Sequence, residues 1–139
     1  MTEIWIRAHG EPIPQGSKTA RVINGRAVMF DANSHLKAWR ENVAQAIWRA
    51  MHGTFEIDPL TGPIAVTMWL YLERPKSVKR AHPSVKPDID KLARAVLDAG
   101  TNGGAWDDDS QVIELSARKL YADDTTKPGV MIHIRKIED

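Results

Sequence analysis

The chain contains no cysteine, which removes disulfides, thiolate metal sites and cysteine nucleophiles from consideration and suits a reducing compartment. No apolar run approaches the roughly 20 residues of a membrane-spanning helix. The opening MTEIWIRAHGEP lacks the basic-then-apolar pattern of a signal peptide, so a cytoplasmic protein without membrane association is expected. There is no Walker-type phosphate loop and no GxSxG elbow, and His9, His35, His52, His82 and His133 show no metal-ligand spacing. Aromatic residues are scarce at 6%, and five of them are tryptophans, read as core residues or, in a loop, as a platform for a base. What remains is an ordinary balance of 42% hydrophobic and 27% charged residues in 139, enough for a single domain over 1–139 with its own core.

The net charge of +1 hides a segregation. Residues 1–87 hold 12 Lys/Arg against 7 Asp/Glu, whereas residues 88–124 hold 4 against 9. A basic surface beside an acidic pocket is the layout expected where a polyanion is held against a metal site. The basic groups fall into two sets. Lys18, Arg21 and Arg26 surround the tight-turn dipeptide Asn24-Gly25, and Lys76, Lys79, Arg80 and Lys86 lie in a proline-marked connection.

Periodicity supplies the elements. Ile4 and Ile6 alternate with Trp5 and Arg7 as a short first strand. Leu36, Trp39, Val43, Ile47 and Ala50 mark a helix capped by Asn33 or Ser34 and ending near Met51. Residues 64–72 read as a strand apolar on both faces and therefore central in its sheet. A second helix is expected from about Asp88 to Asp98, burying Ile89, Leu92, Ala93, Val96 and Leu97, with a flexible turn over Thr101-Asn102-Gly103-Gly104. Strands from about Gln111 to Tyr121 and from Val130 to Lys136 complete an α/β (α+β) domain with a mixed or antiparallel sheet and two helices on one face.

The most informative stretch is KPDIDKLARAVLDAGTNGGAWDDDSQVIE, residues 86–114. Asp88 and Asp90 precede the second helix, Asp98 lies near its end, and Asp107, Asp108 and Asp109 follow the glycine turn. Acidic groups joined by a helix and a turn can converge. Like charges about 4 Å apart repel by roughly 4 kcal/mol at an effective dielectric near 20, so convergent carboxylates call for a hard cation such as Mg2+. Blander readings stand beside this one. Asp88 and Asp90 can be helix-capping residues, the triplet can be a charged turn, although Trp106 just before it would fix its position, and Asp98 can pair with Arg94 four residues earlier. The triplet is not an EF-hand, because the sixth position from Asp107 is Val112 where glycine is required.

These residues resemble the RusA family of Holliday junction resolvases, small dimeric endonucleases of bacteria and their phages. The resemblance rests on Pro87-Asp88-Ile89-Asp90, on Asp98, and on Asp108-Asp109-Ser110-Gln111-Val112, and the order of elements extends it over nearly the whole chain. It implies that Asp88, Asp90 and Asp109 are the catalytic, metal-binding carboxylates, with Asp108 and Asp98 close by and Lys119 as a supporting strand lysine. Two positions depart from the family pattern. Lys91 stands where asparagine is common, and Arg94 stands where a catalytic lysine is usual. Arginine can hold a phosphate or stabilise charge but does not exchange a proton near neutral pH, which leaves Lys91 to cover part of that role.

The resemblance further implies a homodimer acting on four-way or other branched DNA with Mg2+, or Mn2+, in a bacterial cytoplasm and in some cases phage-encoded. The basic groups would grip backbone phosphates. A less selective branched-DNA nuclease shares all these residues. A non-catalytic nucleic-acid-binding module with a structural cation is the alternative of a different class.

Overall fold

Alternating burial along β1 (Glu3–His9) turns Ile4, Ile6 and Ala8 inward and leaves Glu3, Trp5 and His9 outside. The computed structural model describes residues 2–16, 18–31 and 35–138, and for 18–23 and 27–31 it describes the backbone alone. β2 (Lys18–Ile23) and β3 (Arg26–Asp31) form a separate antiparallel hairpin. Asn24 and Gly25 turn it with φ of 52° and 77°, the pair of positive φ values that a two-residue turn requires and that Asn-Gly tolerates.

α1 (Leu36–Met51) buries Leu36, Trp39, Val43, Ile47 and Met51. The stripe is the one expected, except that Met51 rather than Ala50 closes it. The capping residues expected at Asn33 and Ser34 lie outside the described residues, and the helix proper begins at Leu36. β4 (Ile64–Leu72) follows, then α2 (Ile89–Asn102), a single 3-10 turn at Asp109–Gln111, β5 (Val112–Tyr121) and β6 (Gly129–Lys136).

The main sheet runs β1-β6-β4-β5. β4 pairs parallel with β5, with α2 as the crossover, and the other pairings are antiparallel. The sheet is therefore mixed, as expected, and β4 is internal to it. Both helices cover one face, where Val43, Ile47, Leu92 and Val96 meet Ile6, Val66, Met68, Leu70 and Ile132. No helix of the described residues is long and apolar enough to cross a membrane.

Three expectations need correction. α2 runs a full turn past Asp98, and Thr101 and Asn102 belong to it rather than to a turn. Its length is set by packing: a Cβ on Gly100 would stand 2.2 Å from the Trp106 ring, so the bare backbone there lets the indole seat against the last helical turn. Ile89, expected inward, is exposed at the first helical position, and Ala95 and Ala99 take their place in the buried stripe. Leu97, also expected to be buried, is only half-buried, and on β4 the face away from the helices leaves Thr67, Trp69 and Tyr71 half-buried.

Candidate active site

The acidic segment is held by a side chain that contributes no charge. Gln111 Oε1 accepts the backbone N–H groups of Asp107 (2.9 Å) and Asp108 (3.1 Å), while its Nε2 donates to the carbonyls of Leu60 (2.8 Å) and Gly62 (3.0 Å). The triplet is thereby bolted to the segment that leads into β4. Asp108 caps the 3-10 turn by accepting from Ser110 N at 2.8 Å, and that bond holds its carboxyl below the usual aspartate range.

With the turn fixed, Asp109 points back at the end of α2. Thr101 Oγ1 donates to Asp109 Oδ1, and Trp106 Nε1 donates to the same oxygen at 3.0 Å. Asp98, one helical turn before Thr101, comes close enough to Asp109 to share a hydrogen bond between the two carboxyls. Partial burial, then the Asp109 charge and that shared bond, raise the Asp98 pKa above its ordinary 3.8, and Arg40 and Arg94 pull the other way. Arg40, reaching over from α1, stands 3.7 Å from Asp98 Oδ2 and donates to Gln15 Oε1 at 3.2 Å. Arg40, Asp98, Thr101, Asn102, Asp107, Asp108 and Asp109 line one open pocket of about 420 Å³. A larger hollow of about 540 Å³ between His9–Glu11, Glu73 and Lys127–Pro128 holds none of these carboxylates.

The other end of α2 is organised differently. Asp88 occupies the N-cap position in extended conformation, but its side chain makes no capping hydrogen bond and lies 3.6 Å from Lys91 Nζ. Asp90 and Arg94 are exposed. Asp90, Arg94, Asp98 and Thr101 recur at intervals of four, four and three, so they lie along one stripe of the helix. From Asp90 to Asp98 that stripe climbs about 12 Å. Among the described residues no three Asp, Glu or His side chains converge to hold a metal.

Two adjoining carboxyls at an open pocket suit a hard cation that keeps positions for water and phosphate oxygens, so Asp98 and Asp109 fit Mg2+ as a two-carboxylate site. Lys119 does not face this pocket. Its Nζ donates to the carbonyls of Val85 (2.8 Å) and Pro87 (2.9 Å), which fixes the approach of the chain to Asp88. Gln15 N donates to the Lys91 carbonyl at 2.9 Å, so the basic hairpin departs from beside the first turns of α2. The side chains of Lys18 and Arg21 lie outside the described residues, while Arg26, Lys76, Lys79, Arg80 and Lys86 are exposed.

A family model for endodeoxyribonuclease RusA matches residues 9–135. The chain belongs to the RusA family. The matched region takes in both helices, the acidic triplet and every strand after β1 except the last residue of β6, while all of β1 but His9 lies outside it. This RusA-family chain is also similar to the uncharacterized protein YqaN of Bacillus subtilis (strain 168), 30% identical over an alignment spanning 96% of each chain. As a RusA-type endodeoxyribonuclease it carries four site groups that sequence reading misses. Arg40 is a polar residue on a helix read for its apolar stripe, and Thr101 is read as part of a flexible turn. Trp106 is read only as an anchor, and Gln111 only as part of the motif.

Proposed function

We propose that this endodeoxyribonuclease is a divalent-cation-dependent resolvase that cuts four-way DNA junctions by paired, symmetric nicks in a bacterial cytoplasm, encoded by host or phage. The observation that carries the reading is the contact between Asp98 and Asp109 at an open pocket in a chain of this family. Two carboxyls in contact near neutral pH need either a shared proton or a cation, and Thr101 and Trp106 orient one of them from outside. Asp98 and Asp109 would hold Mg2+, or Mn2+, with Asp107 and Asp108 on the pocket wall. Bound there, the cation supplies Lewis acidity toward a phosphate oxygen and offsets charge on the leaving oxygen.

The chain's own groups do the rest. Arg94, exposed midway along the acidic stripe, neutralises a phosphate without moving a proton. Lys18, Arg21, Arg26 and the Lys76–Lys86 connection grip the backbone on either side, which makes affinity fall with salt. Asp88 and Asp90, with Lys91 beside them, would add their carboxylates to Asp109 as the motif implies. A junction has approximate two-fold symmetry and needs two opposed nicks, so a C2 homodimer suits it. In such a dimer the Asp88–Asp90 end of one copy can complete the Asp109 end of the other.

The test is a labelled four-way junction beside a flap and a linear duplex, each with Mg2+ and with EDTA, and sedimentation of the same protein. Paired nicks confined to the junction and to Mg2+, from a dimer, support the reading. Equal cutting of the flap makes it a less selective branched-DNA nuclease. Retardation of the junction with no cutting in any cation makes it a binding module.

A further inference from the structure

The face of the sheet turned away from the helices carries rings and arginines in register. Trp5 lies opposite His133, Arg7 opposite Met131, and Met131 opposite Trp69, which in turn pairs with Arg118; one step on, Tyr71 follows on β4. The Trp5 and His133 rings stack 4.1 Å apart at 23°, and Trp69 lies 6.0 Å from Trp5 at only 16°. Trp5 is nonetheless 55% exposed. His133 and Trp69 both lie alongside the indole, and more than half of it remains open to solvent. The Arg7 guanidinium sits 5.2 Å over the Tyr71 ring. Thr67 and Ser116 are small, and between them, His133 and Arg135 a hollow of about 140 Å³ opens beside the rings.

We propose that this face is a stacking platform for the bases of single-stranded DNA, taking an unpaired strand of a branched substrate. It rests on the reading that the substrate is DNA and adds a second contact surface to it. An exposed indole is what an unpaired base stacks on, and arginines beside the rings meet its phosphates. The face's two carboxylates are already engaged, Glu114 with Arg135 at 3.3 Å and Glu3 with His133 at 3.5 Å. Arg118 has no ion-pair partner among the described residues, so the surplus charge is positive, complementary to a phosphate backbone. Rings, methionine and arginine also suit a face against a second copy, so the oligomeric state of a Trp5 variant distinguishes the two occupants. β5 begins at Val112, just after Asp109, so the platform starts at the end of the sheet nearest the acidic pocket.

The experiment is fluorescence anisotropy of a labelled oligo-dT in EDTA, where nothing is cut, with wild type, Trp5→Ala, Trp5→Phe and Asp109→Asn. Trp5→Ala should weaken binding about five- to one-hundred-fold, the range of one stacked base, and Trp5→Phe should recover most of it. Asp109→Asn should bind the oligonucleotide as wild type does while losing junction cleavage. Unchanged affinity in Trp5→Ala, or a wild-type protein that cuts junctions yet does not bind oligo-dT, overturns the platform and leaves the nuclease reading intact. A dimer that falls to monomer in Trp5→Ala also overturns it, because the face is then an interface between copies. Trp5-dependent binding by a protein that cuts no DNA sinks the nuclease reading and keeps the platform.

Discussion

The two ends of α2 are both acidic, yet the helix treats them in opposite ways. At the first turn, Asp88 and Asp90 lie where the helix macrodipole favours negative charge, exposed and with Lys91 at hand. At the last turns, Asp98 and Asp109 sit against each other where the dipole opposes them, and a threonine, an indole and an arginine from another helix are spent on holding them there. Local helix physics accounts for carboxylates at the N-terminal end without any ligand. It does not account for a carboxyl pair at the C-terminal end. That unexplained convergence, rather than the count of aspartates, is the stronger sign of a working site.

The largest effect expected is on cleavage. Asp109→Asn should lower junction nicking by more than about a hundred-fold, beyond the ten- to hundred-fold of a residue that merely supports a ligand. Asp90→Asn should do the same if both ends of α2 serve one reaction. Mixing the two inactive variants then decides how the ends cooperate. If one copy's Asp90 completes the other's Asp109, a mixed dimer regains one intact site and nicks one strand. If each chain works alone, the mixture gains nothing, and if the N-terminal carboxylates only favour the helix, Asp90→Asn is active by itself.

Arg94 lies between the two ends, and Arg94→Ala should slow cleavage by about ten- to a hundred-fold while leaving thermal stability unchanged. Arg94→Lys should keep most of the rate. A wild-type rate in the alanine variant would make Arg94 a solvated residue of the stripe. Gly100→Ala sharpens the contrast from the packing side. The new methyl must push on the Trp106 ring, costing about 1–3 kcal/mol as overpacking, and cleavage should fall with it because Trp106 also holds Asp109. An alanine at this site that lowers the melting temperature but not the rate would separate the packing from the chemistry.

The smallest effect is a drift with pH in the metal-free protein. Asp98 binds its proton more tightly folded than unfolded, because burial and the Asp109 charge raise its pKa above 3.8. The contribution of Asp98 to stability in EDTA is therefore greatest below that value and declines as pH rises from there through the raised pKa. Asp98→Asn should flatten the decline, which chemical denaturation at a series of pH values would show. An equal slope in both proteins would mean the carboxyls are not coupled in solution.

Much of the frame was legible in the residues. β4 fell at 64–72 because its ends are marked by Pro63 and by polar Glu73, and Asn24-Gly25 announced its own turn. The last turn of α2 was not legible. Gly100 followed by Thr101-Asn102-Gly103-Gly104 has the composition of a loop, and only the Trp106 ring packed on Gly100 keeps it helical. The acidic residues themselves could be named in advance. Which of them meet depends on the path of the turn, and Asp98 is a carboxylate that it brings beside Asp109. Arg40 was hidden for another reason: it belongs to the polar side of α1, about sixty residues from the pocket it lines.

Gln111 shows how little freedom the acidic turn retains. Its amide has two donor hydrogens and two acceptor lone pairs, and the turn uses all four, with two N–H groups on one side and two carbonyls on the other. Among the common side chains only an amide offers that balance, and the shorter asparagine lacks a methylene of reach. Glutamate has the same shape but would turn both donors into acceptors facing carbonyl oxygens. The position therefore works as a lock with one key, and a change from a nitrogen to an oxygen, far from any phosphate, is enough to release the loop that carries Asp109.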